Sequence, residues 1–145
     1  MTRDQSGGRL RRILGVDLGS VRVGLAVSDP TGTLAQPLAV VARDEARDKI
    51  VEQIAELGVE AIVVGIPYNM DGSRGPAADE ADAFAGALRD ATGLEVTCWD
   101  ERLSTVEAER SMRAGGKNAR AQRGVVDKVA AALVLQAYLD SRRPR

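Results

Sequence analysis

The folded part of the chain opens with three short apolar or β-branched runs, Ile13 to Leu18, Val21 to Ser28 and Leu34 to Val41. The first two are joined by Gly19-Ser20 and the next two by a turn containing Asp29-Pro30-Thr31-Gly32. Parallel neighbours need a crossover of a dozen or more residues, so links this short demand antiparallel pairing. After Val41 the period changes. Asp44 can cap a helix whose apolar positions Ile50, Val51, Ile54 and Leu57 fall at helical spacing, and Gly58 ends it. Ala61 to Ile66 reads as a buried strand. Pro76 opens a second helix carrying Ala77, Ala81, Phe84, Ala85 and Leu88 on one face, with Asp79, Glu80 and Asp82 near its positive end. Leu94 to Trp99 is a further strand, followed by a helix over about Ser104 to Arg113. A Gly-rich basic stretch then leads to a last helix over about Val125 to Leu139.

Helical crossovers make the later strands parallel, and right-handed crossover fixes their side. The expected fold is therefore α/β: a mixed five-stranded sheet with helices on both faces, an order characteristic of ribonuclease H-like domains. Residues 13–141 are expected to form that single domain. Residues 1–12 read as a disordered polar lead-in and 142–145 as a basic tail. With 145 residues, 44% of them hydrophobic, the chain has material for one core. Asp17 interrupts Ile13-Leu14-Gly15-Val16, so no signal-peptide core follows the N-terminal arginines, and no run reaches membrane-spanning length. A cytoplasmic protein is expected.

Composition limits the chemistry. There is no histidine, which excludes Ser-His-Asp and Cys-His hydrolases and every His-ligated metal site. Cys98 is the only cysteine, so an internal disulfide and a cysteine-rich zinc site are excluded too; within a strand it reads as core rather than reactive thiol. Aromatic residues make up 3%, too few for a base-stacking platform. Carboxylates, Arg, Lys, hydroxyls and backbone amides remain. Their charge is unevenly spread: residues 1–101 carry −7 and residues 102–145 carry +6, within a net charge of −1. The basic part suits a polyanion, although a solvated helix surface has the same composition.

Three acids stand out. Asp17, in Gly15-Val16-Asp17-Leu18-Gly19-Ser20, follows an apolar strand, where a carboxylate is costly to bury unless paired or bound to metal. It can also cap the turn through Gly19 and Ser20. Asp100-Glu101-Arg102 follows Cys98-Trp99 at the carboxyl end of a strand, the end where functional groups gather in open α/β sheets. Alternation sends one of Asp100 and Glu101 towards the Asp17 site and the other away, and the sequence does not say which. Ser104-Thr105 with Glu107 resembles a helix capping box. Asp127 shares a helical face with Ala131, Val134 and Tyr138, and so heads an apolar stripe pointing inwards. A first-turn Asp complementing the helix dipole is the plainer alternative, at ~0.3–1 kcal/mol. Oxygen ligands of this kind suit Mg²⁺, and two such ions about 3.5–4 Å apart can activate a water and stabilise a leaving oxygen.

Four segments in order, ILGVDLGSVRVGLAVSDP, VVGIPYNMDGSRGPAA, WDERLSTVEA and VDKVAAALVLQAYL, resemble the YqgF family, also called RuvX, over about Ile13 to Leu139. The resemblance implies a ribonuclease H-like, divalent-metal endonuclease of the bacterial cytoplasm, using Mg²⁺ or Mn²⁺. It implies processing of the 5′ end of precursor 16S ribosomal RNA, with resolution of branched DNA (Holliday junctions) as the competing description. Carried over residue by residue, the family's acidic positions fall on Asp17, Glu101 and Asp127, as catalytic and metal-holding residues. The RuvC resolvases carry an acid at the end of the strand next to the first, where this sequence has Gly65-Ile66-Pro67; here Glu101, from the following strand, takes that place. Asp71 is a reserve ligand, in a segment that is also ordinary loop composition.

For the substrate, Arg110, Arg113, Lys117, Arg120 and Arg123 form one basic stretch without an intervening acid, interrupted by Gly115-Gly116. Such a stretch can neutralise several phosphates. Arg22, Arg74 and Arg102 are further candidates. The expected partner is nucleic acid, structured RNA or branched DNA, without a membrane; a homodimer stays open. Two other classes compete. Asp17-x-Gly19-Ser20 also resembles the first phosphate loop of actin-like sugar kinases, which need two such domains. A non-catalytic RNA-binding ribosome-assembly factor would have the same fold.

Overall fold

A computed structural model describes residues 11–104 and 119–142, with side chains from residue 129 onward in the second stretch. The strands are β1 (Ile13–Leu18), β2 (Arg22–Ser28), β3 (Ala35–Ala42), β4 (Ala61–Ile66) and β5 (Glu95–Asp100). The helices are α1 (Ala46–Leu57), α2 (Pro76–Thr92) and α3 (Ala119–Ser141). The five strands form one sheet in the order β3-β2-β1-β4-β5. The short links do make β3-β2-β1 antiparallel, and the crossovers through α1 and α2 make β1-β4-β5 parallel. The mixed sheet inferred from link lengths is thus the observed one.

Alternation along each strand divides the core in two. On one face Leu14, Val16, Val23, Leu25, Ile62 and Val64 pack under Ile50 of α1 and Ala78, Ala81, Ala85 and Leu88 of α2. On the other, Ile13, Ala26, Ala61 and Val63 pack under Ala130, Ala131, Val134, Leu135 and Tyr138 of α3. That second face carries Gly15, Ala26, Ala61 and Gly65 among its larger residues, which lets α3 approach closely. A Cβ on Gly15 would lie 2.8 Å from Leu135 Cβ and 3.1 Å from the Ala131 carbonyl oxygen.

The helix ends follow backbone chemistry more than side-chain caps. Gly58 and Gly93 close α1 and α2 at φ of 68° and 69°, where other residues are strained. Asp44, expected as a cap, instead lies inside a 3-10 turn (Arg43–Glu45), and α1 begins with no side-chain cap bond. Pro76 does open α2, at its first turn. Ala78, not Ala77, faces the core there, because the buried stripe runs 78, 81, 85 and 88. Glu101–Leu103 form a second 3-10 turn, and α3 begins at Ala119, six residues before the Val125 expected. The helix expected over Ser104 to Arg113 falls, beyond Ser104, outside the described residues. Among the described residues, no helix is long and apolar enough to cross a membrane.

Candidate functional site

Asp17 lies within β1, opposite Gly24 of β2, and is only 1% exposed. It shares its face with Ile13 and Gly15, the face covered by α3. Its alternative role as a turn cap does not extend to the Gly19 amide, which donates to the Arg22 carbonyl at 2.8 Å. The parallel register pairs Val16 with Val64, so one step further along the two strands Asp17 comes beside Gly65.

Gly65 is where the second acid arrives. Glu101 begins the 3-10 turn after β5, is 2% exposed, and reaches back across β4. A Cβ on Gly65 would meet Glu101 Oε1 at 2.8 Å and Cγ at 3.0 Å, and Val134 Cγ2 of α3 at 3.2 Å. The bare Cα of Gly65 is thus the space that the Glu101 side chain occupies. Asp17 and Glu101 share one end and one face of the sheet; β4 lies between their strands, which are about 10 Å apart, and the Glu101 side chain crosses part of that gap over Gly65. Asp17, Ser28 and Glu101 are the buried polar or charged residues among those described. Burying two carboxylates side by side is unfavourable in itself, and a cation between them reverses the sign of the interaction.

The ambiguity between Asp100 and Glu101 is resolved by the turn. Glu101 faces α3, whereas Asp100 accepts from the Arg102 guanidinium: Nη2 donates to Oδ2 at 2.7 Å and Nε to both oxygens at 3.1 Å. Those bonds hold the Asp100 carboxyl below its ordinary value, and the pairing holds Arg102 above its own. Arg74 is paired likewise, donating to Asp79 at 3.1 Å and Asp82 at 3.2 Å. Arg74 and Arg102 lie 5.9 and 5.7 Å from the Tyr68 ring centre. Asp71, the reserve ligand, is exposed and accepts from the Ser73 hydroxyl and amide; the Ser73 bonds hold its carboxyl low. Arg22 heads β2 opposite Ala42, at the Asp17 end of the sheet.

The third acid expected, Asp127, is carried by α3. Asp127 stands on this helix, one turn before Ala131, whose carbonyl approaches Gly15 on the Asp17 face; the Asp127 side chain lies outside the described residues, as do those of Arg120 and Arg123. Arg110, Arg113 and Lys117 lie outside them altogether. Among the described residues no three acidic or cysteine side chains gather as a metal cage. Asp17 and Glu101 are the pair that is brought together. Cys98 has its thiol pushed up by burial, against a partly offsetting hydrogen bond from Arg89.

The sequence reading missed two residues. Gly65 enters the sequence reading only as part of the segment that stands where the RuvC resolvases carry an acid; its signal is a glycine next to last in an otherwise aliphatic strand. Arg43 gave no signal. Its Nη1 donates to the Gly19 carbonyl at 3.2 Å and its Nη2 pairs with Glu80 at 3.5 Å, tying the loop after Asp17 to α2.

Comparison with known proteins gives the chain's family and fold. A protein from Pelotomaculum thermopropionicum named "Putative pre-16S rRNA nuclease" is 49% identical over 139 residues, covering 92% of this chain and 90% of that protein. One of the same name from Anaeromyxobacter sp. (strain K) is 51% identical over 136 residues, covering 92% and 99%. Among solved structures, Thermus thermophilus RuvC in complex with a Holliday junction substrate superposes with a TM-score of 0.57 at 19% identity, covering 90% of this chain and 96% of that one. That likeness is one of fold, and it is the RNase H-like fold expected. The family model described as "RuvX: Holliday junction resolvase" matches residues 11–141. The chain belongs to the RuvX family.

Proposed function

We propose that this protein is a divalent-metal-dependent endonuclease that hydrolyses phosphodiester bonds at the 5′ end of precursor 16S ribosomal RNA. The observation that carries the reading is the burial of Asp17 and Glu101 at one end and one face of the sheet, with Gly65 left bare to admit the second. The donor set fits Mg²⁺ or Mn²⁺, which take carboxylate oxygens, and no histidine or second cysteine competes for a softer metal. Asp17 and Glu101 would hold the cation, with Asp127 joining them from α3. When bound, such a cation lowers the pKa of a water and neutralises charge on the scissile phosphate.

The chain's own residues orient and exclude. Asp17 is fixed by the β1–β2 ladder, so its carboxylate is presented without a mobile backbone. Trp99 and Tyr138, packed edge to face at 5.7 Å, belong to the apolar layer on the α3 face. That layer shields the inner side of the site and strengthens its electrostatics. Arg110, Arg113, Lys117, Arg120 and Arg123 would neutralise phosphates of the incoming strand. RNA is preferred over branched DNA as the substrate because the curated relatives are named for pre-16S rRNA.

The test compares wild type with Asp17→Asn and Glu101→Gln on precursor 16S RNA and on four-way DNA junctions, with Mn²⁺ and with chelator. Metal-dependent cutting of the RNA, lost in both variants, is expected. Cutting of the junction alone would move the substrate to branched DNA. Unchanged cellular rRNA maturation with Asp17→Asn would make the protein a non-catalytic assembly factor.

A further inference from the structure

Glu101 differs from Asp17 in what carries it. Asp17 stands on a central strand, whereas Glu101 starts a three-residue 3-10 turn, a form with poor hydrogen-bond geometry and little intrinsic rigidity. The turn is nonetheless tied down on both sides. Before Glu101, the Asp100 carboxylate takes the Arg102 backbone amide at 2.9 Å in addition to the three guanidinium bonds. After it, the Glu101 carbonyl accepts from the Ser104 amide at 3.0 Å and the Ser104 hydroxyl at 2.8 Å.

Arg102 also reaches beyond its own turn. Its Nη1 donates to the Met70 carbonyl at 3.4 Å, and its guanidinium lies 5.7 Å from the Tyr68 ring centre. Gly72, at φ 87°, comes so near that a Cβ there would be 3.4 Å from Nη1. Tyr68 packs against the core under α1 and α2, while the Glu101 side chain lies on the α3 face, over Gly65. Arg102 and Glu101 therefore point to opposite sides of the sheet end. An arginine on the far side, already holding a carboxylate at 2.7 Å, is poorly placed to take a phosphate at the acidic site.

We propose that Arg102 is a positioning residue: locked to Asp100 and seated on the Tyr68–Gly72 loop, it aims the Glu101 carboxylate across Gly65 to receive the divalent cation. The proposal rests on the metal-site reading above, and its test separates the two. A ligand's orienting partner commonly changes metal affinity by about 10–100-fold when removed. Lysine is a point charge and cannot reproduce the forked contact.

Mn²⁺ binding to the full-length protein, without nucleic acid, is measured by the electron paramagnetic resonance of the free ion. Wild type, Asp17→Asn, Arg102→Met, Arg102→Lys, Asp100→Asn and the Arg102→Met/Asp100→Asn double variant are compared. Arg102→Met and Asp100→Asn are each expected to weaken binding about tenfold or more, the double variant no further than the worse single, and Arg102→Lys not to restore it. RNA cleavage should then fall in kcat at limiting Mn²⁺ and recover at high Mn²⁺, with the salt dependence of RNA binding unchanged. Gly72→Ala, which at φ 87° strains the loop on which Arg102 is seated, is expected to weaken Mn²⁺ binding severalfold and keeps the test open should Arg102→Met not fold. Unchanged Mn²⁺ affinity in the Arg102 and Asp100 variants overturns the proposal. So does weaker RNA binding with a salt slope lower by about 1, which would make Arg102 a phosphate contact. If wild type and Asp17→Asn bind Mn²⁺ equally, the metal site itself is wrong, and the positioning role falls with it.

Discussion

Replacing Gly65 by alanine adds one methyl group at the place where Glu101 crosses β4. The new Cβ would lie 2.8 Å from Glu101 Oε1, about 0.6 Å inside the 3.4 Å at which ordinary contact begins, and 3.2 Å from Val134 Cγ2. The strand and α3 flank the methyl, so the Glu101 carboxylate is the group with room to withdraw. Overpacking of this size costs about 1–3 kcal/mol, against about 5–15 kcal/mol for a whole domain, so the variant should fold with a lowered Tm. A 1 Å misplacement of a reacting group can cost about 100-fold in rate; a shift of roughly 0.6 Å should cost on the order of tenfold or more. The assay is cleavage of precursor RNA over a Mn²⁺ titration, with Tm measured on the same samples. Glu101→Ala supplies the control: with Oε1 and Cγ gone, the two tightest contacts are removed and the 3.2 Å contact to Val134 becomes the shortest, so Gly65→Ala should then cost far less stability. Full activity and an unshifted Mn²⁺ midpoint in Gly65→Ala would refute the placing of Glu101 in the metal site.

Three further outcomes are expected. Saturating Mn²⁺, at about 100 times its Kd, should stabilise wild type by about 2.7 kcal/mol, seen as a rise of several degrees in Tm that Asp17→Asn abolishes. Lys117→Ala or Arg120→Ala should each lower the slope of log affinity for RNA against log salt by about 0.7–1; filter binding at four salt concentrations measures it. At Asp29, burial pushes the carboxyl up, but the Thr31 hydroxyl and the amides of Leu34, Thr33 and Thr31 outweigh it and hold the group below 3.8. A carboxyl lowered in the folded state contributes stability above its ordinary value and loses it as pH falls through the folded one. Asp29→Asn should therefore lower Tm at pH 7, with the deficit closing below about pH 4.

Most of the sheet was legible because its signals are local. Ile13–Leu18 and Ala61–Ile66 begin and end where their apolar runs do, and Gly58 and Pro76 mark helix ends through backbone geometry alone. Where the reading missed, a tertiary contact decided. Ala77 and Ala78 are equally apolar, and only the position of α2 over β4 and β5 selects the second. Asp44 has the chemistry of a cap, yet the chain leaves β3 through a 3-10 turn that puts Glu45, one residue later, at the cap position of α1. At the site, Asp17 was visible as an acid in an apolar strand. Choosing Glu101 over Asp100 from the residues alone required knowing that Arg102 claims the Asp100 carboxylate. Gly65 was least legible of all, since a missing side chain reveals its purpose only through the neighbour that fills the gap.

The strand order has a mechanical consequence. β1, which carries Asp17, is gripped by neighbours on both sides, while β5, which leads into Glu101, hangs on β4 alone at the sheet's margin. Margins fray before interiors do. An ion shared by these two acids would span β4 and fasten the loosest strand to the firmest, so that loading the site also rivets the sheet. Amide hydrogens of Val96 to Asp100 should then exchange more slowly with Mn²⁺ present, while those of β1 scarcely change.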